Sequence, residues 1–470
     1  MKTDTTYKIT TRTKKLLADT LTPVNIYLKL RDVFACSILL ESSDYHGDEN
    51  SLSFICCDPL ASFEVSGEKI TQQLPGEEGL TSSVRENNPV DLLETFRLSF
   101  TVDGENHKYP TGGLFGYISY DAVRFMEDVQ VTKHEQPIPD IIYKLYRYVI
   151  VVDHFSNELT ISENVIDGVA ASKHPFDKVE QILFSNKFST YRFAMTNGEE
   201  SNFTDDEFLK VIEKGREHCF RGDVFQIVLS RRFTTTFKGD EFNVYRALRS
   251  INPSPYLFYF DYGSFKLFGS SPEAQLQVKG QHAHIYPIAG TFRRTGNDQE
   301  DAQLAASLAA DEKENAEHVM LVDLARNDMS RNAGNVTVEV FKEIQFYSHV
   351  IHLVSKVTGT VKDHTSVVRI AADTFPAGTL SGAPKHMAIT LIDRYENVNR
   401  SFYGGAIGFL GFDGSFNHAI MIRTFLSHQN KLSYQAGAGV VAKSKAESEL
   451  QEVNNKLAAL RKAVSMAETI

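Results

Sequence analysis

Tryptophan is absent from this 470-residue chain, although phenylalanine (32) and tyrosine (19) are plentiful. The absence excludes no fold, because the other aromatic types supply the bulk a core needs. Cysteine is scarce too: Cys36, Cys56, Cys57 and Cys219 have no metal-ligand spacing, and adjacent cysteines seldom pair, so all four are expected as reduced thiols. No apolar run approaches the ~18 residues that a membrane-spanning helix needs, and the start MKTDTTYKITTRTKK lacks the apolar stretch of a signal peptide. Those absences point to the cytoplasm and to no membrane partner. Basic residues are outnumbered, 49 against 60 acidic, for a net charge of −11 with no basic stripe, which argues against a nucleic-acid surface. An anionic substrate would need local help from a metal ion or an arginine. Nucleotide and zinc signatures are missing as well. There is no GxxxxGK[ST], QAGAGVV lacks the third glycine of the dinucleotide fingerprint, and neither HExxH nor paired CxxC occurs.

What is present describes an ordinary globular chain, 42% hydrophobic and 23% charged, long enough for one large core or two domains. From Val24 to Val165 the pattern is mostly short β-type runs, among them SILLES, SFICCDP, GGLFGYISY and the hairpin candidate IIYKLYRYVIVVDHFSNELTISENV. Residues 170–204 are transitional, with HPFDKVEQILFSN a helix candidate and TNGEESN the softest boundary. Two domains, 1–200 and 201–470, are therefore expected. Thr204 or Asp205 caps a helix that runs to about Phe220 and stops at Arg221-Gly222-Asp223. Further helices are expected near 243–250, 298–326, 365–373, 384–395 and 446–467, interspersed with strands but without a regular βαβ rhythm. That favours an α+β fold of mixed or antiparallel sheets flanked by helices.

Two Glu-x-x-Glu pairs stand out, Glu314/Glu317 in DEKENAEHVMLVDLARND and Glu449/Glu452 in ESELQEVNNK. A spacing of three places each pair on one helical face. Alone, each pair reads as solvated surface. Glu317, however, precedes the largely apolar run His318 to Ala325, and Glu449/Glu452 flank Leu450, Val453, Leu457 and Leu460 at helical spacing. Carboxylates beside a buried stripe need a partner, and hard oxygen ligands of this kind suit Mg²⁺.

In order along the chain come PIAGT (287–291), the first acidic helix, GTLSGAPK (378–385), YGGAIG (403–408), QAGAGVVA (435–442) and the last acidic helix. Each motif is weak, but the ordered set resembles the chorismate-binding enzymes over nearly the whole chain, and within them the large subunit of anthranilate synthase. The resemblance implies a sandwich of β-sheets flanked by helices, the chorismate-utilising fold. It implies Mg²⁺ held by Glu314, Glu317, Glu449 and Glu452 against the ring carboxylate of chorismate. Substrate binding falls to Arg423, with Tyr403 nearby, and to backbone groups at Gly290, Thr291, Thr379, Gly437 and Gly439. An arginine holds a carboxylate bidentately, and glycines let N–H groups approach an anion closely. Glu273 in GSSPEA matches the general acid that protonates the departing C4 hydroxyl, which needs a raised pKa. His352 in IHLVS matches the histidine associated with loss of pyruvate; taken alone, it reads as a core histidine.

Two positions bear on the nucleophile. By resemblance, aminodeoxychorismate synthases carry lysine where this chain has Ala289, and isochorismate and salicylate synthases carry lysine where it has Gln226. Alanine is no covalent nucleophile and glutamine is no base. Ammonia is left as the attacking species, with anthranilate and pyruvate as the implied products. No Gly-flanked nucleophilic cysteine is present, so a separate glutamine amidotransferase subunit is implied as ammonia donor, in a hetero-oligomer. The resemblance also implies a feedback site for L-tryptophan built from Leu40, Glu41 and Ser42 with Asn252, Pro253, Ser254, Tyr256 and Leu257, half of it from residues 1–200; LLES and NPSPY alone read as a strand end and a turn. The chain's lack of tryptophan bears on function only if the product is scarce when tryptophan is scarce. Aminodeoxychorismate synthase and an inactive tryptophan-binding subunit are the alternatives.

Overall fold

The computed structural model describes residues 6–42, 52–103, 111–132, 137–169, 176–346 and 350–470. Of the stretch expected to be transitional, 170–175 lie outside the described residues. Two runs of strands share one long antiparallel pair, β3 (Leu52–Ser66) with β8 (Ile141–Asp153). The first run is β6 (Phe100–Asp103), β1 (Tyr7–Leu17), β9 (Glu158–Ile166), β8, β3, β2 (Ile38–Glu41) and β13 (Tyr256–Asp261). It continues through β14 (Phe265–Ser271), β23 (Thr424–His428), β24 (Lys431–Val440) and β12 (Gln226–Gly239). Three short strands, β10 (Phe193–Met195), β11 (Glu200–Ser201) and β20 (Gly382–Ala383), pair with β12.

The second run is β5 (Leu80–Ser83), β4 (Lys69–Gln73), β3, β8, β7 (Gly113–Ile118), β21 (Ala406–Gly411), β22 (Phe416–Ile420) and β15 (Ala274–Lys279). It ends at β16 (His282–Ile285) and β19 (Val350–Val361), and β19 also pairs with β17 (Ile288–Arg293) and β18 (Ala333–Phe346). Among the described pairings only β1 with β6 is parallel. β3 serves both runs because it bends. Its first half pairs with β2 and its second with β4, and a register shift between Pro59 and Ala61 follows Asp58, which has a left-handed φ of 62°.

Strand alternation divides the interior into layers. In β13, Leu257 and Tyr259 enter a core with helices α1 (Pro23–Arg31), α4 (Asp205–Arg221), α5 (Phe242–Ile251) and α10 (Ala446–Ala467), whereas Phe258 and Phe260 face the space between the sheets. The second sheet packs its outer face against α2 (Pro89–Leu98) and α8 (Val367–Thr374). Helix, sheet, sheet and helix make the expected α+β sandwich. The same alternation sends Cys56 and Cys57 into different cores, and all four cysteines are free.

The capping box of Thr204 and Glu207 and the left-handed Gly222 bound α4 as the sequence predicts. Two helices break the expected run of β-type segments. Thr22 and Asn88 cap α1 and α2, each followed by a proline at the first helical position, a start signal that the apolar spacing obscured. The helix expected over 298–326 is two, α6 (Asp298–Ala310) and α7 (Glu312–Ser330). Asp311 is extended at ψ 112° and accepts from the Glu314 amide at 3.0 Å, capping the second. Two further helices are α3 (Asp177–Leu183) and α9 (Lys385–Tyr395). Strands on either side of residue 200 pair directly, β2 with β13 and β7 with β21. Among the described residues no helix is long and apolar enough to cross a membrane.

Candidate active site

The chain crosses from one sheet to the other at two neighbouring places, between β14 and β15 and between β22 and β23. Glu273 lies on the first crossover and Arg423 on the second. Backbone bonds stitch the two together: Ile420 N–H donates to the Glu273 carbonyl at 3.0 Å, and Ser270 N–H to the Arg423 carbonyl at 3.2 Å. Arg423 turns the chain with a left-handed φ of 49°, uncommon for a side chain of its size.

Glu273 is 8% exposed, and its carboxyl accepts from the Thr379 hydroxyl at 3.0 Å. Burial lifts its pKa to about 8, although the Thr379 bond and the Lys456 charge pull the other way. A carboxyl in that range holds a proton at neutral pH and can donate it. Arg423 is half-buried; desolvation lowers its pKa, and its Nη1 donates to Asn252 Oδ1 at 3.2 Å. Among the described residues no carboxylate forms a salt bridge with it.

Glycines let carboxylates approach the sheets. At Gly290, where φ is 66° and β17 is bulged against β19, an added Cβ would lie 3.1 Å from Glu314 Oε2. At Gly439 in β24 it would lie 2.4 Å from Gln226 Nε2 and 3.5 Å from Glu317 Oε1. Gln226 Nε2 donates to Glu317 Oε1 at 3.0 Å. An added Cβ at Gly437 would lie 3.0 Å from the Tyr403 hydroxyl oxygen. From α10, Glu449 is buried, while Glu452 pairs with Lys456 at 2.7 Å, and Lys456 Nζ donates to the Gly437 carbonyl at 3.0 Å. Among the described residues no three His, Cys, Asp or Glu side chains are gathered as a metal cluster. The donor chemistry still fits a hard divalent cation, because two carboxylates of α7, Glu314 and Glu317, lie against glycines of β17 and β24.

His352 in β19 donates from Nδ1 to the Gly290 carbonyl at 2.9 Å, since a carbonyl only accepts. Burial, with the Arg423 charge in the same direction, lowers its pKa to about 4, against the raising effect of that bond, so the imidazole is neutral near pH 7. Thr291 pairs with His352 across the bulge, and its side chain is outside the described residues. The segments expected to form a feedback site lie together. Leu257 pairs with Glu41 and Phe258 with Leu40 across β13 and β2, and the Ser42 amide donates to the Leu52 carbonyl at 3.3 Å. Glu41 accepts from Tyr245 at 2.6 Å and from Arg249 Nε at 3.0 Å. Asn252 and Pro253 lead from α5 towards buried Ser254, and the Tyr256 hydroxyl accepts from Gln277 at 2.5 Å.

A model of the family described as chorismate binding enzyme matches residues 37–462. The chain belongs to that family. Among chorismate-binding enzymes it is similar to anthranilate synthase component 1 of Aquifex aeolicus, with 36% identity over 97% of this chain and 94% of that one. Component 1 of Thermus thermophilus is likewise 36% identical, over 97% of this chain and 98% of that one. The crystal structure of anthranilate synthase component I from Streptococcus pneumoniae superimposes with a TM-score of 0.78 at 29% identity, covering 95% of this chain and 99% of that one. The menaquinone-specific isochorismate synthase of Escherichia coli shares the fold, with a TM-score of 0.74 at 18% identity over 98% of this chain and 95% of that one.

In this chorismate-binding enzyme, sequence reasoning missed Lys456 and the contact of Asn252 with Arg423. Lys456 follows Glu452 by four residues, a spacing that reads as a solvated helix pair. Asn252 and Arg423 are 171 positions apart. No local pattern could join them.

Proposed function

We propose that the protein is the large subunit of an anthranilate synthase, converting chorismate and ammonia to anthranilate and pyruvate in the presence of Mg²⁺. The observation that carries this reading is the character of two positions of this chain, Ala289 and Gln226, in a protein similar to relatives named for that enzyme. Ala289 is a buried methyl on β17, and Gln226 is a buried amide on β12 engaged with Glu317, so neither offers an amine. A small external nucleophile is needed, and ammonia is one.

In this reading Arg423 takes the enolpyruvyl carboxylate of chorismate, supported by Tyr403, and the backbone at Gly290, Thr291, Gly437 and Gly439 lines the rest. Glu314, Glu317, Glu449 and Glu452 would hold Mg²⁺, which would withdraw electron density through the ring carboxylate. Ammonia adds at C2 while Glu273 passes its proton to the C4 hydroxyl, which leaves as water. Thr379 fixes the Glu273 carboxyl during that transfer. The added nitrogen gives up a proton. The C2 hydrogen then leaves as a proton while the C3–O bond breaks, and the released enolpyruvate takes up a proton to become pyruvate, with the neutral His352 imidazole close by. Ammonia comes from a separate glutamine amidotransferase subunit, tryptophan acts as feedback inhibitor at the Glu41 and Asn252 segments, and the protein works in the cytoplasm.

Incubation with chorismate, Mg²⁺ and ammonium should yield anthranilate and pyruvate in equal amounts. Aminodeoxychorismate or isochorismate as the product would sink the reading. Glu452→Gln should raise the Mg²⁺ concentration needed for half-maximal activity, because an amide donates less charge than a carboxylate. Unchanged Mg²⁺ dependence would remove Glu452 from the ligand set.

A further inference from the structure

Asn252 ends α5 with a φ of −138° and a ψ of 68°, outside the helical region. All its polar groups are used. Its amide N–H donates to the Leu248 carbonyl at 2.8 Å, its carbonyl accepts from the Ser270 hydroxyl, and its side-chain NH₂ faces the hydroxyls of Ser254 at 3.2 Å and Ser270 at 3.4 Å. The orientation of the side chain is thereby decided, because a guanidinium can only donate and must meet the amide oxygen. Ser270 also donates its N–H to the Arg423 carbonyl, so Asn252, Ser270 and Arg423 form a closed triangle joining α5, β14 and the second crossover. Ser271, next in the chain, bonds the Glu273 backbone in both directions, at 3.3 and 3.4 Å.

We infer that Asn252 is a positioning residue for Arg423: its amide oxygen holds one guanidinium nitrogen so that the others face the substrate carboxylate. This rests on the reading of Arg423 as the carboxylate-binding group. A neutral amide suits the task, because it orients the arginine without neutralising it. A carboxylate in its place would compete with the substrate for the same charge. The same amide belongs to the segments proposed to bind tryptophan. An occupant that turned Asn252 to itself would release Arg423, and the change would be felt in substrate binding before the chemical step.

The test is steady-state kinetics with chorismate, Mg²⁺ and ammonium on the full chain. Asn252→Ala should raise the KM for chorismate about tenfold, the size expected for one hydrogen bond to a charged group, with a smaller effect on kcat. Asn252→Asp, which is isosteric, should raise it further. In an Arg423→Ala background neither substitution should raise KM again. An unchanged KM in both variants, or effects that add in full to that of Arg423→Ala, would overturn the inference. A residue that merely held the helix end would lower kcat in proportion to folded protein and treat Ala and Asp alike. Should Asn252→Ala fail to fold, Asn252→Asp carries the test. If the wild-type protein makes no anthranilate, the proposed function fails first, and the chorismate affinities of the same variants, by calorimetry, decide the positioning role separately.

Discussion

Two arginines of this fold are treated in opposite ways. Arg400, 1% exposed, donates to both oxygens of Glu396 at 2.9 and 2.6 Å and to the carbonyls of Leu380 and Val228 at 2.6 and 2.7 Å. Glu396 is closed as well, accepting from Ser230 N–H and hydroxyl at 2.8 Å each. Burial opposes the Arg400 charge, but Glu396 outweighs it and the pKa is raised. Arg423 has Asn252 and no salt-bridged carboxylate among the described residues, and desolvation lowers its pKa. Glu273 against Glu396 repeats the contrast between one hydroxyl partner and a full set. A charge network closed within the protein is scaffold; one left open is where a ligand can complete it. Arg400 also supports the site, since its guanidinium lies 5.6 Å from the Tyr403 ring centre.

Substitutions should separate these roles. The largest effect is expected at Glu273: the Gln variant should lose about 10²- to 10⁴-fold in kcat, the range for a general acid, with little change in the KM for chorismate. A fall confined to KM would remove Glu273 from that role. Arg400→Met should act on the fold, lowering stability by about 3–5 kcal/mol in denaturant titrations because Glu396 is left buried without its partner. Arg423→Ala should do the reverse, raising the KM for chorismate about 10²-fold, as for truncation of one member of a buried charge pair. Its denaturant midpoint should stay close to that of the wild type.

The pKa of Glu273 gives a prediction with a definite sign. Its folded value, about 8, lies above the ordinary 4.5, so the folded protein holds this proton more tightly. The associated stability is fully present below pH 4.5 and is lost as the pH rises through 8. Melting curves should show the wild type falling behind the Glu273→Gln variant across that window, and wild-type kcat should decline above pH about 8. Equal pH dependence of the two melting curves would contradict the raised pKa. The smallest effect is expected for Thr379→Val, which removes the one hydroxyl bond that lowers the Glu273 pKa. The alkaline limb of the kcat profile should move upward by less than one pH unit, an energy of about 1 kcal/mol.

Much of the site was legible because its residues sit in local motifs. PIAGT contains the glycine that admits Glu314, QAGAG those beside Tyr403 and Glu317, and GSSPEA the crossover bearing Glu273. The capping box of α4 was legible for the same reason, since it needs only residues 204 and 207. The break at Asp311 was hidden by helical spacing on both sides, although an aspartate three residues before a glutamate is itself a cap signal. Contacts made by distant segments left no trace. The bend that lets β3 join two sheets, the side-by-side crossovers and the Asn252–Arg423 bond all depend on tertiary pairing. For that reason the chain reads clearly as to its local motifs and poorly as to what holds them together.

The most direct measurement of the open-network account is chorismate binding without turnover. Calorimetry with Mg²⁺ on Glu273→Gln and on Glu273→Gln combined with Arg423→Ala should show chorismate binding to the first and an affinity about 100-fold weaker in the second, with matching denaturant midpoints for the two unliganded proteins. Equal affinities, or a double variant that unfolds readily without ligand, would show that Arg423 serves the fold as Arg400 does, and would contradict the account.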